Sequence, residues 1–392
     1  MKILNKKIPV INTYDFNNPN IEFTENLTTG ACVLRNEFAF DFKFQAWYCL
    51  FSCENSFKIY NIRKLVEQTI LDKVLAKKAF LVLDNALEPF TKSIDSIYEN
   101  IVIKEQIPAS QVILLTAMPD AKNYSDNLAK TLNQQSIRIF KYSLFEHDLN
   151  REVQFVYQYK LPNTLEIKHY DKKFLNFNRR WRLHRPFLIT LMHGRNLLNN
   201  GYISFGPCDN RDTWQHRWPE LVHYFRKNPN ILEILNKFES VKELTPLYLD
   251  TDELHINRAD STPSTNKYYE NTYFSVVTET TYFTNEWYHS ARFLSEKIFK
   301  PIAMKHPFIL ASVPKSLEIL KSMGYKTFSP FINEDYDNEL DDGKRMLMIV
   351  SEIERLCNFD MQELEKFILF AREICTHNYN VLMSKNKFIT VL

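Results

Sequence analysis

Short apolar runs alternate with helical segments along most of the chain, and this alternation limits the available folds more than any other feature. In the first half, apolar runs predict buried strands at 79–83, 111–116 and 137–140. Residues at helical spacing cover 94–102 and 124–134 between those strands. Strands that alternate with helices form βαβ units, in which the strands are parallel. The first half is therefore predicted to be an α/β domain built on a parallel sheet.

The second half repeats the same alternation. Strands are predicted at 174–177, 202–205, 273–277, 308–310 and 325–328. Helices are predicted over 187–197, 221–238 with a break near Asn228 and Pro229, 314–323, 344–356 and 361–383. Gly201 and Gly324 follow the first and third of these helices, as glycine often does where a helix ends.

The length of the chain suggests two domains. A chain of 392 residues is too long for one ordinary hydrophobic core. We expect a Rossmann-like domain over 1–168, a second one over 169–350, and a C-terminal helical segment over 351–392 that packs back on the domains. In the N-terminal region, one half-buried strand is predicted at 37–44, where apolar and polar residues alternate.

Composition excludes several classes of protein. The 49 Lys and Arg residues almost balance the 47 Asp and Glu residues, so general nucleic-acid binding is not expected. No segment approaches the roughly 18–20 uninterrupted apolar residues of a membrane span. The first residues lack the apolar region of a signal peptide. The six cysteines are scattered, which is typical of buried thiols in a reducing compartment. These features predict a cytoplasmic protein without a membrane span.

Glycine is scarce, with six residues in the whole chain. The P-loop and the G-x-G-x-x-G turn are both excluded, because each needs several glycines within one short loop. A phosphate site must therefore rely on helix N-termini and cationic side chains. The histidines form no pair at helical spacing, so a zinc site is not predicted, and we expect no metal or other cofactor.

The strongest local signal is the segment 295–301, which reads Ser-Glu-Lys-Ile-Phe-Lys-Pro. Ser295 is a suitable cap for a helix that begins at Glu296. Backbone N–H groups at a helix start can hold a pyrophosphate, to which Lys297 and Lys300 would add positive charge. The Glu296 carboxylate could then accept both hydroxyls of a ribose. The alternative is an ordinary helix cap with a solvated charge pair.

A second signal is a basic run that follows the strand predicted at 174–177. It contains Arg179, Arg180, Arg182, His184 and Arg185 and leads into a helix. Ligands of open α/β sheets lie beyond the carboxyl ends of strands, and guanidinium groups match phosphate oxygens. The alternative is a solvated linker between domains. Both signals fall at the same edge of the second sheet, which favours a diphosphate site there.

The stretch 274–337 resembles the donor half of GT-B glycosyltransferases, especially the exostosin and α1,3-fucosyltransferase kind with their phage and giant-virus relatives. The resemblance lies in Ser-Val-Val-Thr-Glu-Thr, Phe-Leu-Ser-Glu-Lys-Ile-Phe-Lys-Pro-Ile, His-Pro-Phe-Ile-Leu, Leu-Lys-Ser-Met-Gly-Tyr-Lys-Thr-Phe and Glu-Asp-Tyr-Asp, in chain order from Ser275. The block 173–185 is similar to the segment that opens such a donor domain. Together these segments cover about half of the chain. Ser295 stands where threonine is usual in the fucosyltransferases, and their upstream asparagine has no counterpart.

The resemblance implies a fold and a reaction. Two Rossmann-like domains with parallel sheets would face each other across a cleft. A sugar would pass from a nucleotide-diphosphate sugar to a hydroxyl of a glycan or other acceptor, without a metal. Glu296 would bind the ribose, Lys297 the phosphates, and Arg179 or Arg180 the leaving diphosphate. Glu279 would lie near the base or the sugar.

An inverting enzyme of this type also needs a carboxylate on the other domain to deprotonate the acceptor. Asp84 and Glu88 follow a predicted strand there and are the candidates, although a turn and a helix cap would explain them equally.

Two other functions fit the same sequence. One is a non-catalytic protein that uses the fold to bind a glycan or a partner. The other is a metal-dependent GT-A-like glycosyltransferase, in which Asp250 and Asp252 would form the Asp-x-Asp metal site. The acidic segment 333–342 superficially resembles a calcium loop. Leu340 and Met346 occupy the positions of the turn glycine and the final ligand, so a solvated acidic cap for the next helix is expected.

Overall fold

The computed structural model describes most of the chain and defines its elements. The described residues are 10–12, 45–50, 63, 68–77, 79–85, 91–141, 143, 145–146, 165–178, 182–206, 214–236, 238–244, 247, 249, 263–284, 292 and 294–384. The strand predicted at 37–44 lies outside them. The chain divides into two compact units, the first formed by Met1–Asp148, Ser290–Phe293 and Lys385–Leu392, the second by Leu149–His289 and Leu294–Ser384.

The first unit is an α/β unit with a parallel sheet. Its strands are β1 (Val10–Asn12), β2 (Gln45–Leu50), β3 (Ala79–Asn85), β4 (Val112–Thr116) and β5 (Arg138–Lys141). They lie in sequential order and all pair in parallel. The helices are α1 (Gln68–Leu75), α2 (Thr91–Ile97), which continues into a π-helical turn (Tyr98–Ile103), and α3 (Ala121–Thr131). The three strands predicted in this half are confirmed as β3 to β5.

The core of the first unit contains a buried polar link at Tyr98. The Tyr98 hydroxyl lies 2.9 Å from Ser125 Oγ of α3 and accepts a hydrogen bond of 3.1 Å from the Ile137 amide. The five residues of β4 are all buried, which is typical of a parallel strand covered on both faces.

The second unit contains a four-stranded parallel sheet. Its strands are β6 (Phe174–Asn178), β7 (Gly201–Phe205), β8 (Phe274–Thr278) and β9 (Phe308–Ala311), in the order β7-β6-β8-β9. The helices are α4 (His184–Gly194), α5 (Trp214–Tyr224), α6 (Pro229–Leu235), α7 (Phe238–Leu244), α8 (Pro263–Glu270), α9 (Glu296–Ala303), α10 (Ser316–Ser322), α11 (Asp342–Cys357) and α12 (Met361–Ser384). The predicted break near Asn228 and Pro229 is confirmed, since α6 begins there.

One predicted strand is wrong. The segment 325–328 is irregular, because side chains rather than a neighbouring strand satisfy its backbone. Asn378 of α12 accepts from the Lys326 amide at 2.7 Å and donates to its carbonyl at 2.8 Å. The Glu334 carboxylate accepts from the Phe328 amide at 2.7 Å. The apolar residues of this segment are thus buried without belonging to a sheet.

The end of α4 was also predicted too late. The helix stops at Gly194, and Gly201 opens β7 instead of closing the helix. A Cβ atom on Gly201 would lie 2.4 Å from the ring of Phe174 on the neighbouring strand, so this position requires glycine. Gly324, by contrast, follows α10 with a positive φ of 96°, as expected of a glycine after a helix.

Candidate functional site

The strand order of the second sheet identifies one position at its edge where a ligand could bind. From β6 the chain moves outward to β7, then returns to the other side of β6 with β8 and continues to β9. Strand order therefore reverses between β6 and β8, which pair directly. In open α/β sheets, ligands bind beyond the carboxyl ends of the strands at such a reversal. The residues that follow Asn178 and Thr278 are therefore the first candidates for a site.

Buried amides and hydroxyls connect the two strand ends. Asn176 Nδ2 donates to the Val276 carbonyl at 2.7 Å, and Asn178 Nδ2 donates to Asn176 Oδ1. The Thr278 hydroxyl donates to Asn178 Oδ1, and the backbone N–H of Asn178 donates to Ser204 Oγ at 3.3 Å. This network was not predicted from the sequence. Its signal is the pair of asparagines at alternate positions of an otherwise apolar strand, where both side chains point to one face.

Glu279 follows β8 directly and is buried. Its Oε1 accepts from the Ser295 amide at 3.1 Å, while Oε2 accepts from the Ser295 hydroxyl at 2.5 Å and from the Thr280 amide at 3.2 Å. Burial raises the pKa of Glu279, although the charge of Lys297 and the hydrogen bonds from Ser295 act to lower it. Both oxygens thus stabilise the segment before α9. A catalytic role for Glu279 stays a prediction.

The predicted cap of α9 is confirmed. Ser295 has extended backbone angles and its Oγ accepts from the Lys297 amide at 3.4 Å. The Lys297 ammonium donates to three oxygens, namely Glu296 Oε1 at 2.9 Å, Ser295 Oγ at 3.0 Å and Thr280 Oγ1 at 3.2 Å. The side chains of Glu296 and Lys297 are each 26% exposed, so this ion pair faces solvent in part.

Glu296 and Glu279 are two nearby carboxyls with opposite pKa shifts. Burial acts to raise the pKa of Glu296 as well, but the charges of Lys297 and Lys300 outweigh it and the net shift is downward. Glu296 is therefore an ionised, partly exposed carboxylate. The Glu279 carboxyl group, in contrast, is buried. Of the two, Glu296 is placed to receive a hydrogen-bond donor from outside.

His184 and Arg185 lie in the first turn of α4 and are buried. His184 Nε2 donates to the Glu279 carbonyl at 2.9 Å, and its ring stacks on Tyr282 with centroids 5.5 Å apart. Burial, followed by the charge of Arg185, lowers the pKa of His184 well below its usual value, so the imidazole is neutral. Arg185 Nη2 donates to the Thr278 carbonyl at 3.5 Å. Both side chains therefore attach α4 to the end of β8.

The start of α4 differs from that of α9 in charge. Within the described residues, no side chain caps α4, and its first turn carries no acidic residue. Arg182 precedes the helix and is partly exposed, and its charge acts on His184 together with those of Arg185 and Lys297. The two helix starts are thus close neighbours. Arg179 and Arg180 lie outside the described residues, and their predicted role is untested.

The remaining predicted site residues are spread more widely. Lys300 lies in the last turn of α9 and is partly buried. Asp84 is near the carboxyl end of β3, where it pairs with Leu115 of β4. Glu88, Asp250 and Asp252 lie outside the described residues. The part of the chain that the structure describes contains no group of three or more His, Cys, Asp or Glu residues suited to a metal ion.

The acidic segment before α11 is only partly the solvated cap that was expected. Asp341 does cap α11 by accepting from the Lys344 amide at 2.7 Å. Asp337 and Asp342, however, are buried. The Asp337 carboxylate accepts from the Leu317 amide at the start of α10, and burial raises its pKa to about 6. Both carboxyl groups are thus buried with hydrogen-bond donors, which are backbone amides for Asp337 and Asp342 and also a buried arginine for Asp342.

Asp342 and Arg345 form a buried ion pair that sequence analysis missed. The Asp342 carboxylate accepts from the Thr284 amide at 3.0 Å and from the Arg345 guanidinium. Arg345 also donates to the Tyr282 carbonyl at 2.7 Å and lies over the Tyr282 ring, 4.3 Å from its centroid. We call these two residues the brace. The brace fixes the segment that follows Glu279.

Comparisons with known proteins add little. No protein-family model matches the sequence, and no curated protein matches it. Among solved structures, the chain is similar to a TarM mutant from S. aureus in complex with fondaparinux, α-GlcNAc-glycerol and UDP. The identity is 14% and the TM-score 0.34, over 79% of this chain and 48% of that one. This chain thus spans about half the length of that protein, and so distant a likeness assigns it neither a ligand nor a reaction.

No helix among the described residues has the length and apolar character needed to cross a membrane.

Proposed function

We propose that this protein is a GT-B-type glycosyltransferase, which moves a sugar from a nucleotide-diphosphate sugar to an acceptor hydroxyl without a metal ion. One observation carries the proposal. At the reversal between β6 and β8, a helix start flanked by arginines adjoins a helix start that presents an ionised carboxylate. Such a pair suits a ligand with a diphosphate at one end and hydroxyl groups at the other.

The diphosphate is assigned to the start of α4. Anions are stabilised at the positive end of a helix, and this helix lacks a side-chain cap and a first-turn acid among the described residues. Arg182 adds positive charge there, and Arg179 and Arg180 precede it in sequence. The start of α9 is less suited to an anion, because Glu279 and Glu296 already supply carboxylates to it.

The nucleoside is assigned to Glu296. Its carboxylate is ionised and 26% exposed, and two oxygens can accept two neighbouring hydroxyls. Cleavage of the sugar–phosphate bond leaves negative charge on the diphosphate. Fixed cations and helix N–H groups stabilise that charge as it develops, and loss of one such donor costs about 2.7–4 kcal/mol. Asp84 and Glu88 are the proposed bases toward the acceptor.

Ligand-dependent thermal stability tests the proposal directly. Unfolding is followed with UDP, GDP, ADP and CMP, and one nucleotide at 100 times its Kd should stabilise the protein by about 2.7 kcal/mol. Glu296→Ala should abolish that shift, whereas Glu373→Ala, which removes an exposed carboxylate of α12, should retain it. A panel without any stabilising nucleotide would overturn the proposal.

Transfer assays separate the alternatives. Sugar transfer or donor hydrolysis that survives EDTA supports the metal-independent reaction. Activity lost with EDTA and restored by a divalent metal would instead favour the GT-A-like reaction at Asp250 and Asp252. Nucleotide binding without transfer or hydrolysis would indicate the non-catalytic binding protein.

A further inference from the structure

The Lys297 ammonium is fully engaged within the protein. An ammonium group has three protons to donate. Glu296 Oε1, Ser295 Oγ and Thr280 Oγ1 lie 2.9, 3.0 and 3.2 Å from Nζ, so each proton has an acceptor. A phosphate could take one of these protons only if a present partner gave it up.

The three acceptors lie on two segments of the second unit. Thr280 follows β8, Ser295 caps α9, and Glu296 is the first residue of that helix. Glu279 contacts two of the same residues from the buried side, through the Ser295 amide and hydroxyl and the Thr280 amide. Lys297 and Glu279 together therefore connect the residues after β8 to the start of α9.

The charges of this cluster leave little attraction for an anion. Lys297 forms an ion pair with Glu296, so its positive charge is largely balanced within the cluster. The start of α4, by contrast, adjoins Arg182 and Arg185 and a neutral His184. A diphosphate is therefore drawn toward α4 rather than toward Lys297.

We propose that Lys297 is a positioning residue that holds the Glu296 carboxylate in place for the nucleoside, and that the diphosphate binds without direct help from Lys297. This inference rests on the proposed function and assigns Lys297 a different role from the phosphate ligand that the sequence predicted. Glu296 has one oxygen held by the ammonium, which fixes the direction of the other.

The test compares ligands with and without phosphate. Binding of the nucleoside diphosphate found in the thermal panel and of its parent nucleoside is measured by calorimetry for wild type and Lys297→Met. A positioning role predicts that both affinities fall by the same factor, so that their ratio stays within about twofold of wild type. Arg182→Gln should lower the ratio of diphosphate affinity to nucleoside affinity about tenfold or more. Lys321→Met, at an exposed position of α10, should change neither affinity.

A second variant covers the case in which Lys297→Met does not fold. Lys297→Arg keeps the positive charge and offers a fork suited to phosphate, but a planar guanidinium cannot reproduce the three-acceptor geometry of an ammonium. The positioning role predicts that Lys297→Arg weakens both ligands alike. A phosphate-ligand role predicts that diphosphate affinity is retained.

The outcomes are distinct. A selective loss of diphosphate affinity in Lys297→Met, with nucleoside affinity unchanged, would overturn the positioning role and leave the proposed function standing. A wild-type protein that binds none of the nucleotides would overturn both.

Discussion

Two helices leave neighbouring strands at the same edge of the second sheet, yet they begin with opposite charges. The start of α9 has a serine cap, an acid in its first turn and the Glu279 carboxylate beside it. The start of α4 has none of these among the described residues, where Arg182 precedes the helix and Arg185 lies in its first turn. A third helix, α10, follows the α9 pattern, since the Asp337 carboxylate accepts from its Leu317 amide.

This difference indicates which helix start at this sheet edge is suited to bind an anion. The positive end of every helix favours an anion. At α9 and α10 a carboxyl group of the protein itself accepts from a backbone amide at the helix start. Where the described residues supply cations and no first-turn acid, as at α4, an anion from outside is favoured. The comparison thus selects one of three similar helix starts.

The largest effect is expected from removing the brace, which fixes the segment that follows Glu279. Arg345→Met leaves the Asp342 carboxylate buried without its cation, which typically costs about 3–5 kcal/mol. Urea unfolding measures the loss. Lys344→Met on the same helix removes an exposed charge and should cost much less than Arg345→Met. Equal losses in the two variants would show that the brace does not stabilise this segment.

The free energy of unfolding is expected to depend on pH because of Asp337, the carboxyl group at the start of α10. Burial raises the pKa of Asp337 from 3.8 to about 6, so the folded protein holds this proton more tightly than the unfolded chain. The resulting stability is present in full below about pH 4 and is lost as pH rises through 6, by up to about 3 kcal/mol.

Asp337→Asn should remove this pH dependence. Between pH 4 and 7.5 the free energy of unfolding should therefore fall in wild type but not in the variant. Asp335→Asn, which changes an exposed neighbour, should leave the slope intact. A wild-type slope that persists in Asp337→Asn would assign the pH dependence to another group.

The α4 side is tested by its exposed arginine. Arg182→Gln should weaken binding of the nucleoside diphosphate by about tenfold to a hundredfold, because a hydrogen bond to a charged group contributes about 1.5–3 kcal/mol. Arg226→Gln removes an exposed arginine beyond the end of α5 and should have no effect. Unchanged affinity in Arg182→Gln would contradict the assignment of the diphosphate to α4.

The smallest effect concerns the cap of α9. Ser295→Ala should lower the free energy of unfolding by about 1 kcal/mol, since an N-cap side chain is lost. Thermal or urea unfolding measures it against Ser384→Ala at the far end of α12. A loss no larger than that of the control would mean that Glu279 alone suffices to hold the helix start.

Local patterns in the sequence predicted the elements well where one short apolar run or one capping residue decides the structure. The strands at Phe174 and Phe308 and the cap at Ser295 follow from hydrophobic pattern and helix-start chemistry. The segment 325–328 failed because its partner, Asn378, is far away in sequence and satisfies the backbone by side-chain contacts. No local pattern carries such information.

The candidate site was predictable in part. The basic run and the 295–301 segment located it, because both follow strands whose carboxyl ends share one edge. The sequence does not reveal the strand order β7-β6-β8-β9, the buried state of Glu279 or the three acceptors around Lys297. These depend on which segments meet after folding.

The amides inside the second sheet affect how reliably its strands align. Asn176 and Asn178 satisfy one another and bond to Val276 and Thr278 of the adjoining strand. A slip of β8 by one residue would reverse which side chains face these amides and leave polar atoms unpaired in an apolar interior. Misaligned pairings of β6 with β8 are therefore disfavoured during folding.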